Sequence, residues 1–251
     1  MQTMQPTVAD AEPGPASQFR THGFAVLPGL LGTEELSALR QFYELAFQRF
    51  FAAREAGGGQ GFASFGTTWI YQPETFVPEL LHLPFVQRGL QLAEDLLGEG
   101  PIQQSLRIFH KPPFIGDVTP WHQDEAYQAP GQRHNSMNLW IPLEDVGVEN
   151  GCLRYAPAPL RDEILLHEAE LNPITRGLVI RARDPVPDLA AVDVPLLAGD
   201  AVAHHCRTLH SSRPNGSLKP RRALVMVCTA PPQTLACPPE RPWLHDFGLA
   251  S

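Results

Sequence analysis

Two side chains able to bind a metal stand one residue apart in the stretch TPWHQDEAYQ, His122 and Asp124. Read as a strand, this run points both to one face and Gln123 to the other, because successive strand side chains alternate. A buried histidine paired with a carboxylate is also a common structural feature, so the pair needs a third member before it means metal. A mononuclear iron site takes two imidazoles and one carboxylate on one side of the ion and leaves three positions open for substrates. Candidates for the second imidazole lie in GDAVAHHCRTLHSSRPNGSLKPRRAL, which carries His204, His205 and His210. His210 is singled out by its neighbours: Ser212 follows two residues on, hence on the same strand face, and Arg221 opens the next strand-like run. A hydroxyl and a guanidinium near a metal suit the far carboxylate of a bidentate dicarboxylate ligand.

Taken together, TPWHQDEAYQ, LWIPLEDVGVENGCLRYAP, AGDAVAHHCRTLHSSRPNGS and PRRAL resemble the phytanoyl-CoA dioxygenase family of Fe(II)- and 2-oxoglutarate-dependent oxygenases, over roughly residues 19 to 229. The resemblance implies a double-stranded β-helix, the jelly-roll or cupin-like fold, with His122, Asp124 and His210 as the metal ligands and catalytic centre. It also implies that Arg221 salt-bridges the distal carboxylate of 2-oxoglutarate, that Ser212 adds a hydrogen bond and that Trp140 lines the cosubstrate pocket. Arg107, in SLRIFHK, occupies a position that in relatives faces cosubstrate or substrate. The implied reaction consumes O2 and hydroxylates an unactivated C–H bond of a small-molecule metabolite, with release of succinate and CO2. The same chemistry can end instead in desaturation, cyclisation or epimerisation, whereas halogenation is disfavoured because Asp124 is present. A cupin-like binding protein without turnover is the alternative from another class.

The chain also departs from the family pattern. RYAPAPLRDE follows GCL, with Ala158 and Pro159 where Gly and Ser would fall. A lysine that contacts 2-oxoglutarate in some relatives has no counterpart in TTWIYQP. Both departures point away from the acyl-CoA substrate that named the family. His204 and His205 are expected as strand residues near the site and not as ligands, while His110, His134, His167 and His245 lack partners at ligand spacing. Arg222, next to Arg221, should face away by alternation.

The elements that must position these residues are legible in outline. HGFAVLPGLL reads as a strand and a turn. A helix follows over TEELSALRQFYELAFQRFFAARE, with Thr33 as its cap and Leu36, Leu39, Tyr43, Phe47 and Phe50 at helical spacing. GQGFASFGTTWIYQPETFVPE reads as a connecting loop. A second helix begins near Pro84 and ends near Gly98. From residue 101 the texture changes to short apolar runs between Pro, Gly and Asn-Gly signals, the pattern of an all-β barrel or sandwich. Only PAPLRDEILLHEAELN could hold a further helix. The expected fold is therefore mainly β with N-terminal helices: a tail over 1–16, then one oxygenase domain over 17–251, its helical support spanning about 17–100 and its β-helix core about 101–230.

Composition narrows the partners. Nineteen Lys and Arg stand against 27 Asp and Glu, a formal charge of −8, which leaves no basic stripe for a phosphate backbone. Nucleic acid is not an expected partner, and a small-molecule substrate is. Cys152, Cys206, Cys228 and Cys237 show no metal or redox spacing, and the first residues show no signal-peptide pattern, so a cytoplasmic location with free thiols is expected. No apolar run approaches the roughly 20 residues that span a bilayer, so no membrane partner is expected. These features do not address oligomeric state.

Overall fold

The computed structural model describes residues 14–245, apart from 57–60, 64–66, 99, 115, 117, 129, 161, 172–177, 184–190 and 238. The N-terminal half runs α1 (Pro15–His22), β1 (Phe24–Leu27), α2 (Thr33–Glu55), β2 (Gly61–Ala63), β3 (Thr68–Tyr71), two 3-10 turns and α3 (Pro84–Leu97). There follow β4 (Gln103–Lys111), β5 (Thr119–His122), a 3-10 turn (Asp124–Tyr127), β6 (Gln132–Pro142) and β7 (Leu153–Tyr155). The chain continues through β8 (His167–Leu171), β9 (Leu178–Ala182), β10 (Val192–Val194), β11 (Ala201–His205), β12 (His210–Ser212), β13 (Arg221–Thr234) and α4 (Pro242–His245).

A seven-stranded sheet, ordered β1-β11-β6-β13-β4-β3-β2, faces a four-stranded sheet, ordered β10-β7-β12-β5, and β8 and β9 form a separate hairpin. This is the expected double-stranded β-helix. Alternation in the large sheet divides its residues between two environments. On one face Leu106, Ile108, Met137, Leu139, Ile141, Leu224, Met226 and Cys228 pack against Leu36, Leu39 and Tyr43 of α2 and Phe85, Val86 and Ala93 of α3. On the other, Trp140, Val202, Ala223, Val225 and Val227 meet Leu153, Tyr155 and Val194 of the small sheet. Strand β13 is thus buried on both faces over most of its length, which explains why RALVMVC reads as a continuous apolar run. Gly89 lets α3 approach this layer closely, because a Cβ there would stand 2.8 Å from the Met226 sulfur.

Several local expectations are corrected. Gly32, not Thr33, is the N-cap of α2, and no side-chain cap bond is made there. The segment read as a loop after α2 contains β2 and β3, which extend the large sheet through the Trp69–Phe109 and Tyr71–Arg107 pairs of β3 and β4. The stretch that could have held a helix instead contributes β8, paired antiparallel with β9. Of the expected tail, residues 1–13 lie outside the described residues and Pro15 already opens α1.

Two buried histidines are built into the scaffold as neutral imidazoles. His205 points to the helical face of β11, edge-on to Phe19 of α1; its Nδ1 accepts from the Arg207 backbone N–H (3.1 Å), so its Nε2–H is left to donate to Asn135 Oδ1 (3.1 Å). His167 donates from Nδ1 to Leu165 O (2.7 Å) and accepts at Nε2 from the Gln123 N–H (3.3 Å). A second proton would abolish one acceptor in each ring. Burial, aided by the Arg207 charge, pushes His205 down to about 3, and burial pushes His167 down to about 4. Unfolded, both would titrate near the ordinary value of 6.5. As pH falls below that value the unfolded chain takes up protons that the folded chain refuses, so stability drops by about 1.4 kcal/mol per pH unit for each site until the folded values are reached. Urea midpoints of the metal-free protein are expected to fall between about pH 7 and pH 5, and His205→Gln should make that decline shallower by one proton; an unchanged slope would show that His205 is already protonated in the fold.

Candidate metal centre and cavity

His122 ends β5, and His210 sits directly opposite it on β12, flanked on the other side by Tyr155 of β7. The imidazoles of His122 and His210 lie 4.3 Å apart between ring centroids. Asp124 is not on the strand with His122, as alternation would require; the strand stops at His122 and Asp124 opens the following 3-10 turn. The turn nevertheless brings its Oδ1 to 3.5 Å from His122 Nε2 and 3.9 Å from His210 Nε2. One ligand atom from each of the three lies within 4.8 Å of the others.

The hydrogen bonds behind the rings decide what they can bind. His122 Nδ1 donates to Pro120 O (2.8 Å) and His210 Nδ1 to Thr208 O (2.9 Å), because a carbonyl can only accept. Each Nε2 lone pair is left facing the Asp124 carboxylate, the tautomer that a metal-ligating histidine needs. Burial pushes His210 well below the ordinary imidazole range, keeping it neutral. Burial alone would raise Asp124, but the polar groups around its carboxylate, the Asn138 amide and the His204 ring among them, hold it well below the usual carboxylate range. Two neutral imidazoles and one ionised carboxylate fit a facial iron site.

The turn that carries Asp124 is clamped from below. Arg241 donates to Glu125 O (2.7 Å) and Gln128 O (2.6 Å), and the Trp243 indole donates to Ala126 O (2.9 Å). The buried Glu125 carboxylate pairs with Arg241 (3.3 Å) and Arg207 (3.5 Å). The far oxygen of Asp124 accepts from Asn138 Nδ2 at 2.6 Å and lies 3.4 Å from His204 Nε2, while Tyr155 Oη is 2.9 Å from His204 Nδ1. His204 therefore faces the site beside the three candidate ligands, whereas His205 faces away. Asn138 and Tyr155 went unnoticed in the sequence because nothing local marks them; they meet Asp124 and His204 only through the pairing of β6 with β11 and the closure of the two sheets.

A cavity of about 660 Å³ opens over this centre, lined among others by Trp69, Tyr71, Arg107, Phe109, Tyr127, Trp140, Ser212 and Arg221. Arg221 is 2% exposed. Its guanidinium lies 5.4 Å from the Trp140 ring and donates to Gly151 O (3.1 Å), and its Nε finds no partner among the described residues. Burial lowers it to about 10, so it stays charged at neutral pH. Ser212 Oγ donates to Thr119 Oγ1 (2.9 Å) and accepts from Lys111 Nζ (2.7 Å), a buried ammonium that reaches this end of the cavity from β4. Arg222 points the other way, as alternation predicts, and pairs with Glu144 and Glu44. His134 also lines the cavity, while His110 packs against Phe47 on the helical side.

Comparison with known proteins agrees with this geometry. The profile of the Phytanoyl-CoA dioxygenase (PhyH) family matches residues 19–223. Phytanoyl-CoA dioxygenase domain-containing protein 1 of Danio rerio is 32% identical over 148 residues, 57% of this chain and 49% of that protein. The chain thus matches about half the length or less of such curated relatives. EvdO2 from Micromonospora carbonacea var. aurantiaca, solved in complex with 2-oxoglutarate, superposes with a TM-score of 0.77 at 32% identity, covering 95% of this chain and 99% of that one. The carbocyclase SnoK from nogalamycin biosynthesis, described as non-heme and alpha-ketoglutarate dependent, superposes with a TM-score of 0.62 at 25% identity, covering 90% and 87%. The matched span takes in the whole ligand cluster and Arg221, and the chain belongs to the phytanoyl-CoA dioxygenase family.

Proposed function

We propose that this chain is an Fe(II)- and 2-oxoglutarate-dependent dioxygenase that hydroxylates an unactivated C–H bond of a small-molecule metabolite, releasing succinate and CO2. The observation that carries the reading is the pairing, in one cavity, of the His122, Asp124, His210 cluster with a buried guanidinium, Arg221, that has no carboxylate partner among the described residues. When bound, iron and 2-oxoglutarate supply the oxidising power, with O2 reduced and the 2-oxo acid decarboxylated as one oxygen atom passes to the substrate.

The chain's own groups then have separate tasks. His122 and His210 offer Nε2 lone pairs whose direction is set by the Pro120 and Thr208 carbonyls. Asp124 presents one oxygen to the metal side while Asn138 and His204 hold the other. Arg221 receives the distal carboxylate, Ser212 adds a hydroxyl beside it, and Trp140 forms a wall against which the cosubstrate lies. The cavity walls hold the target carbon near the metal and limit access of water. A second outcome of the same machinery, ring closure, is favoured by the likeness to a carbocyclase; desaturation and epimerisation would use the same ligands. A cupin-like binding protein has less support, because an ionised carboxylate and two aligned imidazoles are expensive to bury without a metal.

The reading of residues 17–251 as one domain is supported by a buried apolar cluster that draws on both the N-terminal helices and the large sheet, from Phe19 to Cys228. A cytoplasmic location is supported by four cysteines without a disulfide among them. No helix among the described residues is long and apolar enough to cross a membrane.

Anaerobic protein is expected to bind one Fe(II), and 2-oxoglutarate should then produce the weak visible charge-transfer band of the chelate. Tight zinc binding with no such band would sink the oxygenase reading. His210→Ala should abolish metal binding, whereas His204→Ala should weaken it at unchanged stoichiometry; loss of the metal from the second variant alone would move the ligand to His204. Arg221→Leu is expected to raise the 2-oxoglutarate requirement by about 30-fold, as for loss of about 2 kcal/mol from a desolvated ion pair, with iron binding retained. Arg222→Leu should leave that requirement alone and lower the unfolding midpoint, since it breaks the contacts to Glu144 and Glu44. Succinate release measured against 2-oxoglutarate concentration separates the two arginines.

A further inference from the structure

The cavity holds a second guanidinium to which the proposed function gives no task. Arg107 lines it from β4, and among the described residues it makes no hydrogen bond and no ion pair; the contact its guanidinium has is the face of the Tyr71 ring, 5.6 Å from the centroid. Five N–H donors on a half-buried cation are thus left to whatever enters the cavity.

Arg107 does not share a subsite with Arg221. On the β13–β4 ladder Arg221 stands opposite Lys111 and Arg107 opposite Val225, four residues along, roughly 13 Å at strand rise. Across the sheet the two guanidiniums lie over different rings, although Trp140 shares a row with Arg107 through Val225. Arg221 lies over Trp140 of β6, and Arg107 over Tyr71 of β3, on opposite sides of the β13–β4 pair. Lys111, the other cation on this strand face, is turned into Ser212 and the Arg213 carbonyl.

Charge within the cavity points to the ligand. Glu125 is matched by Arg241 and Arg207. On the reading proposed above, Arg221 is matched by the distal carboxylate of the cosubstrate, and Fe(II) by Asp124 together with the chelating carboxylate. Among the described residues that line the cavity, Arg107 is then a cation with no acid beside it. A single cation suits a single negative charge and not the several of a polyphosphate carrier. Its surroundings are aromatic: Trp69 and Phe109 pack at 4.5 Å between centroids, and Phe109 is two residues from Arg107 on the same strand face.

We propose that Arg107, with Tyr71, Trp69 and Phe109, forms the substrate subsite that selects a singly charged oxyanion, a carboxylate, borne on an apolar or aromatic body. The inference rests on the oxygenase reading in assigning Arg221 to the cosubstrate and Asp124 to the iron. It can be tested with 3-phenylpropanoate and its neutral amide as probes, titrated anaerobically into protein loaded with Fe(II) and 2-oxoglutarate and followed by tryptophan fluorescence. The carboxylate should bind about 10-fold or more tightly than the amide, as a charge-assisted pair requires. Arg107→Met should erase that preference while the charge-transfer titration with 2-oxoglutarate and the thermal midpoint stay as in the parent. Equal binding of the two probes to the parent protein, or no binding of the carboxylate, overturns the proposal. So does a weakened 2-oxoglutarate chelate in Arg107→Met, which would hand Arg107 to the cosubstrate. If the parent forms no chelate band, the oxygenase reading fails by itself, and the same pair of probes titrated without iron still reports whether Arg107 selects an anion.

Discussion

The arrangement depends on keeping one carboxylate ionised inside the protein. Asp124 lies between the imidazoles of His122 and His210 on one side and the Asn138 amide and His204 on the other. A half-buried carboxylate on a cavity wall, left without partners, would be pushed toward its protonated form. Here hydrogen bonds and neighbouring imidazoles outweigh burial and keep it charged. That balance requires both sheets at once, since His122 and His210 come from the small sheet and Asn138 and His204 from the large one.

The rest of the molecule can be understood as what fixes those partners. A row of residues across the large sheet, Phe24, His204, Asn138, Val227 and Ser105, lies over the Tyr155, His210, His122 row of the small sheet. A slip of one residue in β11 or β6 would turn His204 or Asn138 into the helical core. The helices α2 and α3 guard against that slip, because they bury the alternate positions Leu139, Met226 and Leu224. Beneath the Asp124 turn, the C-terminal segment takes up the backbone carbonyls of Glu125, Ala126 and Gln128 with Arg241 and Trp243, so a short turn holds a charged ligand without a strand partner of its own.

Polarity inside the cavity is graded from end to end. The His122, Asp124, His210 cluster and the Arg221, Ser212 and Lys111 group occupy one region, where small charged molecules can be held by several donors. The β3–β4 side carries Trp69, Tyr71 and Phe109 with Arg107 among them, a wall suited to a larger and mostly apolar molecule. On the proposed function, cosubstrate and substrate would meet different chemistry within one space.

By itself the sequence pointed to two imidazoles and one carboxylate as candidate ligands, gave their order along the chain, and separated a helix-bearing first part from a strand-rich remainder. His122, Asp124, His210, Ser212 and Arg221 were legible because each lies in a short motif, and the opposite directions of Arg221 and Arg222 follow from the period of a strand. It did not determine how Asp124 reaches His122, since spacing suggested a shared strand and the chain instead turns after His122 under the pull of contacts from residues 241 and 243. Nor did it mark β2 and β3, whose Gly- and Thr-rich segment becomes a sheet edge only by pairing with β4. Asn138, Tyr155 and His204 became part of the site, and Arg107 a lone cation over Tyr71, through strand pairings and sheet closure between residues far apart in the chain. Such pairings depend on register across the whole barrel, which the tertiary structure alone decides.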